Sequence, residues 1–454
     1  MTESQRQLIL LAMPSVHAGA WRYPGAQPGF QSSFEHMKGF AQTLEQGCFD
    51  GLFLPDSLAL RDAPVESLMR SHSVNTLDPL TLLPALAAVT RHIGLIATAS
   101  TTYNEPYMLA RRLASLDLIS AGRCGWNLVT SSNPNEAANF GKDPHMAHAD
   151  RYLRAREFCD VMDGLWESWD EDAFCRDAQS GLYFDPQKLH VLDHQGASFS
   201  VRGPLNVARP IQARPVIVQA GASEAGRAIA AQTAEVVFTY QTDLPSAQHF
   251  YADMQSRAAA AKRTADLKII PAVFVVLGDS LAQAQEKRQL LDDLVDDQSS
   301  LATLSIALGH NIADYDRNGP LPQMPASNAS KSGRDRLVEL ARQEQLSILA
   351  LARRVCGYQG LEMVGTAAMV ADQMQLWLDN GAADGFNVMF SHLPGGATAF
   401  VEQVVPELQR RKLLRQHCSG TTLREHLGLK TPLSGLSRRR ARCTLWAVTA
   451  RYSL

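Results

Sequence analysis

A basic excess, paired cysteines and long apolar runs are all missing from this 454-residue chain. Its 43 Lys and Arg stand against 46 Asp and Glu, a formal net charge of -3, so nothing in the balance argues for nucleic acid. The seven cysteines (Cys48, Cys124, Cys159, Cys175, Cys356, Cys418, Cys443) are scattered and form no C-x-x-C pair. An odd, scattered set argues against a disulfide framework or a zinc site and for a reducing compartment. The one apolar run near the start, Leu8–Met13, is too short for a secretory segment or a membrane span. A cytoplasmic protein with no membrane association is expected. No His/Cys/Asp cluster has metal-ligand spacing, no G-x-S-x-G elbow occurs, and no solenoid period is visible.

What the chain does have is a stretch around which the rest is organised, from Gly122 to Gly141. Trp126–Thr130 reads as a short buried strand that opens into Ser131, Ser132, Asn133, Pro134 and Asn135, a cluster of turn formers. A strand emptying into a polar loop resembles the carboxyl end of a parallel-sheet strand, where α/β enzymes keep their chemistry. On pattern alone, a structural strand followed by a surface loop fits equally well.

Further short apolar runs alternate with helical patterns. They are Leu8–Met13, Gly51–Pro55, Ile93–Ala99, Pro215–Gln219, Val236–Thr239, Lys268–Leu277 and Gly385–Phe390. Ser33 precedes one helical pattern and Gly47 ends it; Asp78-Pro79 is a cap followed by a first-turn proline. Eight buried strands alternating with helices predict a (β/α)8 TIM barrel, an α/β fold of parallel strands. We expect one barrel domain over 1–429, with insertions near 170–210, around a hairpin at Leu189–Val201, and near 299–384. The longest insertion lies between strands 7 and 8. Within it, Asn318–Gly333 is rich in Pro, Ser, Asn and Gly and reads as a mobile loop, a lid. The 430–454 tail carries Arg438, Arg439, Arg440 and Arg442 and is expected to pack loosely.

Gly221-Ala222-Ser223 sits between a buried strand and a helix start. Free main-chain N–H groups and the Ser223 hydroxyl suit a phosphate there. Ser223 capping its own helix explains the same residue. The run is a near miss for a P-loop, because Arg227-Ala228 stands where Lys-Ser/Thr is required, which excludes a nucleoside triphosphatase of that type.

Several longer runs carry a family resemblance. They are His17 with Ala20-Trp21-Arg22, Leu54-Pro55-Asp56-Ser57, and IGLIATASTTYNEPYMLARRLASLDLISAGRCGWNLVTS (93–131). Asn139-Phe140-Gly141, His148-Ala149-Asp150-Arg151-Tyr152, PVIVQAGASEAG (215–226), VVPELQRR (404–411) and GTTLREHLGL (420–429) follow in consistent order. The chain resembles the bacterial-luciferase-like flavin monooxygenases, in the nitrilotriacetate, dibenzothiophene-sulfone and pristinamycin subgroup. The resemblance implies a barrel that binds reduced FMN (FMNH2) delivered by a separate NAD(P)H:flavin reductase. It implies that O2 forms a flavin C4a-hydroperoxide, which inserts one oxygen atom into a small organic substrate. A homo-oligomer, dimer or tetramer, is expected with it.

By the same resemblance Asp56, Ser100, His148, Tyr152 and Ser223 contact the cofactor. Residues 148 and 152 share one helix face, and Asp56 and Ser100 end strands 2 and 3 at the mouth. His17 and His310 are candidates for lining the oxygenation site, since a neutral His can orient substrate or exchange a proton near neutrality. Two other readings stay open: a deazaflavin-dependent oxidoreductase of the same superfamily, and a non-catalytic flavin-binding protein. The substrate is not legible.

Overall fold

Eight parallel strands close on themselves. In the computed structural model they are β1 (Ile9–Val16), β2 (Gly51–Leu54), β3 (Gly94–Ser100), β4 (Cys124–Val129), β5 (Val216–Ala220), β6 (Val236–Thr239), β7 (Lys268–Leu277) and β8 (Gly385–Phe390). Each pairs in parallel with the next, and β8 returns to β1 with Ile9 opposite Gly385 and Leu11 opposite Asn387. The expected (β/α)8 barrel is therefore present. The structure describes residues 6–60, 65–131, 133–142, 144–221, 223–263, 267–312, 314–323, 331–357 and 360–432. Every residue of β3 and β8 is buried, as strands covered on both faces must be.

The helices start where the sequence provides caps. Helix α1 (Phe34–Gln46) begins at Ser33, whose Oγ accepts from the His36 N–H, and gives way to Gly47. Helix α2 (Pro79–Ala87) begins at Asp78, whose carboxylate accepts from the Thr81 N–H at 2.8 Å. Helices α3 (Pro106–Ile119), α4 (His148–Trp166), α5 (Glu224–Thr233), α6 (Leu244–Ala260) and α7 (Leu281–Asp293) follow. A small hairpin, His194–Gln195 with Ser200–Val201, falls inside the stretch where one was expected.

The amino-terminal end of the barrel is closed by the chain's own segment 421–429. Its single helical turn, Leu423–His426, carries a capping box between Thr422 and Glu425. Leu423 reaches into the barrel because Gly94 opens β3 and Gly125 is the second residue of β4. A Cβ on Gly94 would lie 2.4 Å from Leu423 Cδ1, and one on Gly125 would lie 3.2 Å from Leu423 Cδ2. Arg424, 2% exposed, donates to Glu235 Oε1 at 2.8 Å and to the Arg214 carbonyl. Glu235 also accepts from Arg214 Nη2 at 3.1 Å and from the Ile217 N–H at 3.0 Å.

The excursion between β7 and β8 is mostly helical, with α8 (Asp297–Leu308), α9 (Lys331–Gln343) and α10 (Ile348–Gly357) around their own apolar cluster. The presumed lid is only partly a loop. Its residues 324–330 lie outside the described residues, and residues 331–333 already belong to α9. Its opening is tied down: Ile348 N–H donates to Gly319 O and Leu349 N–H to Arg317 O, at 2.9 and 2.8 Å. The excursion also contains an unexpected strand, Leu361–Gly365. This strand pairs with Val273–Leu277 of β7, above the half of β7 that pairs with the four-residue β6. Of the tail, residues 433–454 lie outside the described residues. No helix among the described residues is long and apolar enough to cross a membrane.

Candidate active site

A cleft of ≈ 290 Å³ lies at the carboxyl ends of β2 to β5. Asp56 reaches it from the exit of β2, Ser100 from the end of β3, Thr130 and Ser131 from the exit of β4, and Gln219 and Ala220 from β5. The side these residues occupy follows from strand alternation, since Thr98 and Ser100 share the inner face of β3. Trp126 points the other way. Its indole N–H donates to Ala99 O at 3.0 Å and its rings pack on Phe158 and Trp166, so it belongs to the layer between strands and helices.

The expected cofactor residues come together. Asp56, Ser100 and Tyr152 line the cleft. The His148 ring lies 4.7 Å, centroid to centroid, from that of Tyr152 on the first turn of α4. Tyr152 Oη lies 3.4 Å from Ser223 Oγ. Ser223 caps α5 by accepting from the Gly226 N–H at 3.1 Å. A serine hydroxyl that accepts through a lone pair still has its proton to give. A Cβ on Gly226 would stand 3.1 Å from Ser223 Oγ and 3.4 Å from Tyr152 Oη, so a side chain at position 226 would crowd this corner.

The two histidines are placed elsewhere. His17 is completely buried and does not line the cleft. Its Nδ1 accepts from the Gly19 N–H, and its Nε2 meets Asp292 Oδ1 at 3.0 Å. Burial holds its pKa below the ordinary histidine value even though Asp292 pulls the other way. The ring is thus neutral and inserted among Asp292, Arg288 and Glu362, where it joins the exit of β1 to the excursion. A Cβ on Gly357 would come within 2.1 Å of His17 Nε2, so α10 lies directly over it. His310 follows α8 and bonds to Tyr315 Oη at 3.1 Å; it too is outside the cleft.

Three residues that sequence reasoning left unassigned shape the site. Glu136, 4% exposed, sits on the short helix Pro134–Asn139 and lines the cleft. Its Oε1 accepts from Ser57 Oγ at 3.1 Å and from the Leu58 N–H at 3.3 Å. Its Oε2 has no partner among the described residues. A buried carboxylate oxygen without a donor is costly and points to a ligand or water that supplies one. Ser131 holds a left-handed backbone (φ 56), rare for a residue with a side chain, and its Oγ lies 2.7 Å from Ser100 Oγ. Asn127 donates to Thr98 Oγ1 at 2.9 Å, and its Oδ1 has no partner among the described residues. The Asn-rich turn after Trp126–Thr130 was the signal that could have led to Glu136.

Electrostatically the cleft is acidic. Burial pushes the Asp56 carboxyl up to about 6, and the charges of Asp78 and Glu136 add to it, against a main-chain donor at Ser57. None of the cleft-lining residues is Lys or Arg.

The family model described as luciferase-like monooxygenase matches residues 13–384. The chain belongs to the luciferase-like monooxygenases. It is 44% identical over 441 residues to nitrilotriacetate monooxygenase component A of Aminobacter aminovorans, covering 95% of this chain and 97% of that one. It is 45% identical over 442 residues to N-acetyl-S-(2-succino)cysteine monooxygenase of Bacillus subtilis, covering 96% and 99%. Among solved structures, DmoA from Hyphomicrobium sulfonivorans superposes with a TM-score of 0.85 at 35% identity, over 93% of this chain and 92% of that one. Other relatives are named for dibenzothiophene sulfone and for long-chain alkanes, so the names of the relatives span chemically unlike compounds and leave the substrate open.

Proposed function

We propose that the protein is the FMNH2-dependent oxygenase component of a two-component system. In this reading a separate NAD(P)H:flavin reductase supplies FMNH2, and one atom of O2 passes to a small organic substrate. The observation that carries it is the Tyr152–Ser223 corner, where a hydroxyl pair stands at the start of α5 beside the acidic cleft. The residues fit the cofactor: Gly226 leaves the corner open, and the orphan Oε2 of Glu136 awaits a donor. Ser223, Tyr152 and His148 would hold the phosphate and the chain that bears it, and Asp56 and Ser100 would face the flavin. When bound, reduced FMN supplies the electrons that activate O2.

The chain's own part is to orient, to exclude water and to handle protons. Glu136 fixes Ser57 and Leu58 and so sets where the neighbouring Asp56 points. Asp56, with its carboxyl near 6, can give or take a proton close to neutrality. His17 acts through the excursion: it clamps the excursion to β1 at the same end of the barrel, which would help keep bulk water from the mouth.

The reading is tested by supplying FMNH2 from any NADH-driven flavin reductase under air, with and without candidate carbon, nitrogen and sulfur compounds. Peroxide release that falls as an oxygenated product appears supports it. Tight stoichiometric FAD on the purified protein, or turnover only with a deazaflavin, rejects it.

A pH prediction follows from Asp56. A ligand that covers the cleft deepens the burial of this carboxyl and so favours its neutral form. Riboflavin, which has no phosphate to titrate, should bind less well as pH rises through about 6. Asp56→Asn should flatten that profile; a bend that persists in the variant assigns it to another group.

A further inference from the structure

Cys48 and Cys418 stand 370 positions apart in sequence and face each other in the fold. Cys48 follows α1 and is 6% exposed, in a left-handed backbone conformation (φ 54). Cys418 belongs to the segment that runs from the last barrel helix toward the plug at 421–429, and is half-buried. The two thiols are near enough that each biases the ionisation of the other. Each sulfur also lies near a main-chain carbonyl of the other's segment: Cys48 Sγ is 3.8 Å from Gln416 O, and Cys418 Sγ is 4.0 Å from Glu45 O. The two segments are pinned together next to the pair. Arg415 pairs with Asp50 at 3.2 Å and donates to Phe49 O.

We propose that Cys48 and Cys418 form a peroxide-reactive dithiol that closes to a disulfide between the end of α1 and the segment leading to the barrel plug. The Cys48 thiolate attacks one oxygen of hydrogen peroxide. The O–O bond breaks, water leaves with one added proton, and Cys48 becomes a sulfenic acid. The Cys418 sulfur then attacks the Cys48 sulfur; the S–S bond forms, the S–O bond breaks and a second water leaves. Overall two thiols lose two electrons to one peroxide and two waters form. The roles follow from the surroundings. The neighbouring Cys418 thiol and the Arg415 charge hold the Cys48 thiol down at about 7 against its burial, and Cys418 is pushed up. At neutral pH Cys48 is then more ionised than an ordinary thiol, of which only a few per cent is thiolate. In a reducing compartment such a bond is transient, which separates it from a structural disulfide. Uncoupled turnover is one source of the peroxide if the proposed oxygenase reading holds, but the chemistry needs only the oxidant.

The test uses the full chain and added hydrogen peroxide, without flavin, so its outcome is independent of that reading. Graded peroxide is followed by alkylation of the remaining thiols, non-reducing digestion and mass spectrometry. The expected product is a linked Cys48–Cys418 peptide, lighter by two hydrogens than its reduced parts and reversed by dithiothreitol, with Cys124 and Cys159 untouched. In Cys418→Ser, Cys48 should stop at a sulfenic acid that dimedone traps. In Cys48→Ser, Cys418 should stay reduced at the same dose. Full alkylation of both cysteines after peroxide overturns the proposal. So does oxidation of the exposed Cys175 with no linked peptide. The wild-type digest decides the matter even if a serine variant fails to fold.

Discussion

Glu235→Gln is expected to destabilise the protein by about 3–5 kcal/mol, read from the midpoint of urea unfolding at neutral pH. The substitution keeps the side-chain shape and removes one charge. It leaves Arg424 with main-chain carbonyls and a neutral amide in place of its carboxylate partner, and it strips one of the two anions from Arg214, whose other is Asp163 at 3.1 Å. Arg424 and Glu235 are each 2% exposed, so water cannot take over. The same network fixes a pH effect. Burial alone would raise the Glu235 carboxyl; the Arg214 and Arg424 charges outweigh it and hold the group at about 2. Its folded value is below the unfolded one, so its stabilisation is present above about pH 4 and is lost as pH falls toward about 2. The substituted protein should lack that part of the acid slope. An unchanged urea midpoint would show that the buried charges contribute nothing net.

Ser223→Ala is expected to weaken FMN binding by about ten- to a hundredfold while leaving riboflavin nearly unaffected. A hydrogen bond to a charged phosphate contributes roughly 1.5–3 kcal/mol, which converts to that range. The substitution also removes the cap on α5, since Ser223 Oγ accepts from the Gly226 N–H. Loss of a cap costs roughly 1 kcal/mol of helix stability and would touch both ligands alike. Titrating the two flavins side by side therefore separates the two functions of one hydroxyl. Equal losses would reduce Ser223 to a helix cap and undo the cofactor assignment at that corner.

The strands were legible because they are apolar on both faces and bounded by turn formers. The bounds of β6, β7 and β8 match the expected runs, while β1 runs on past Met13 to Val16. Leu361–Gly365 was not legible. It is five residues long, carries Glu362 in its middle, and becomes a strand only because half of β7 offers it an open edge. In the site, Asp56 and Ser100 could be placed at the mouth because each ends a readable strand. Glu136 follows the Asn-rich turn that marks the mouth, but its burial was not legible, since it depends on the loop at Ser57 and Leu58, far away in sequence. His17 follows a readable strand too, yet the excursion folds over it, and no local pattern announces that.

The extra strand also marks where this sequence can be cut and rejoined. In a chimera that takes residues 279–357 from a relative, Leu361–Gly365 stays native, and so does its register from Leu361 opposite Val273 to Gly365 opposite Leu277. A graft that extends through Leu361–Gly365 must bring its own matching β7, or it leaves the upper half of that strand with a bare edge. Swapping the excursion between such enzymes should therefore leave a folded barrel far more readily with a junction before the added strand than with one after it.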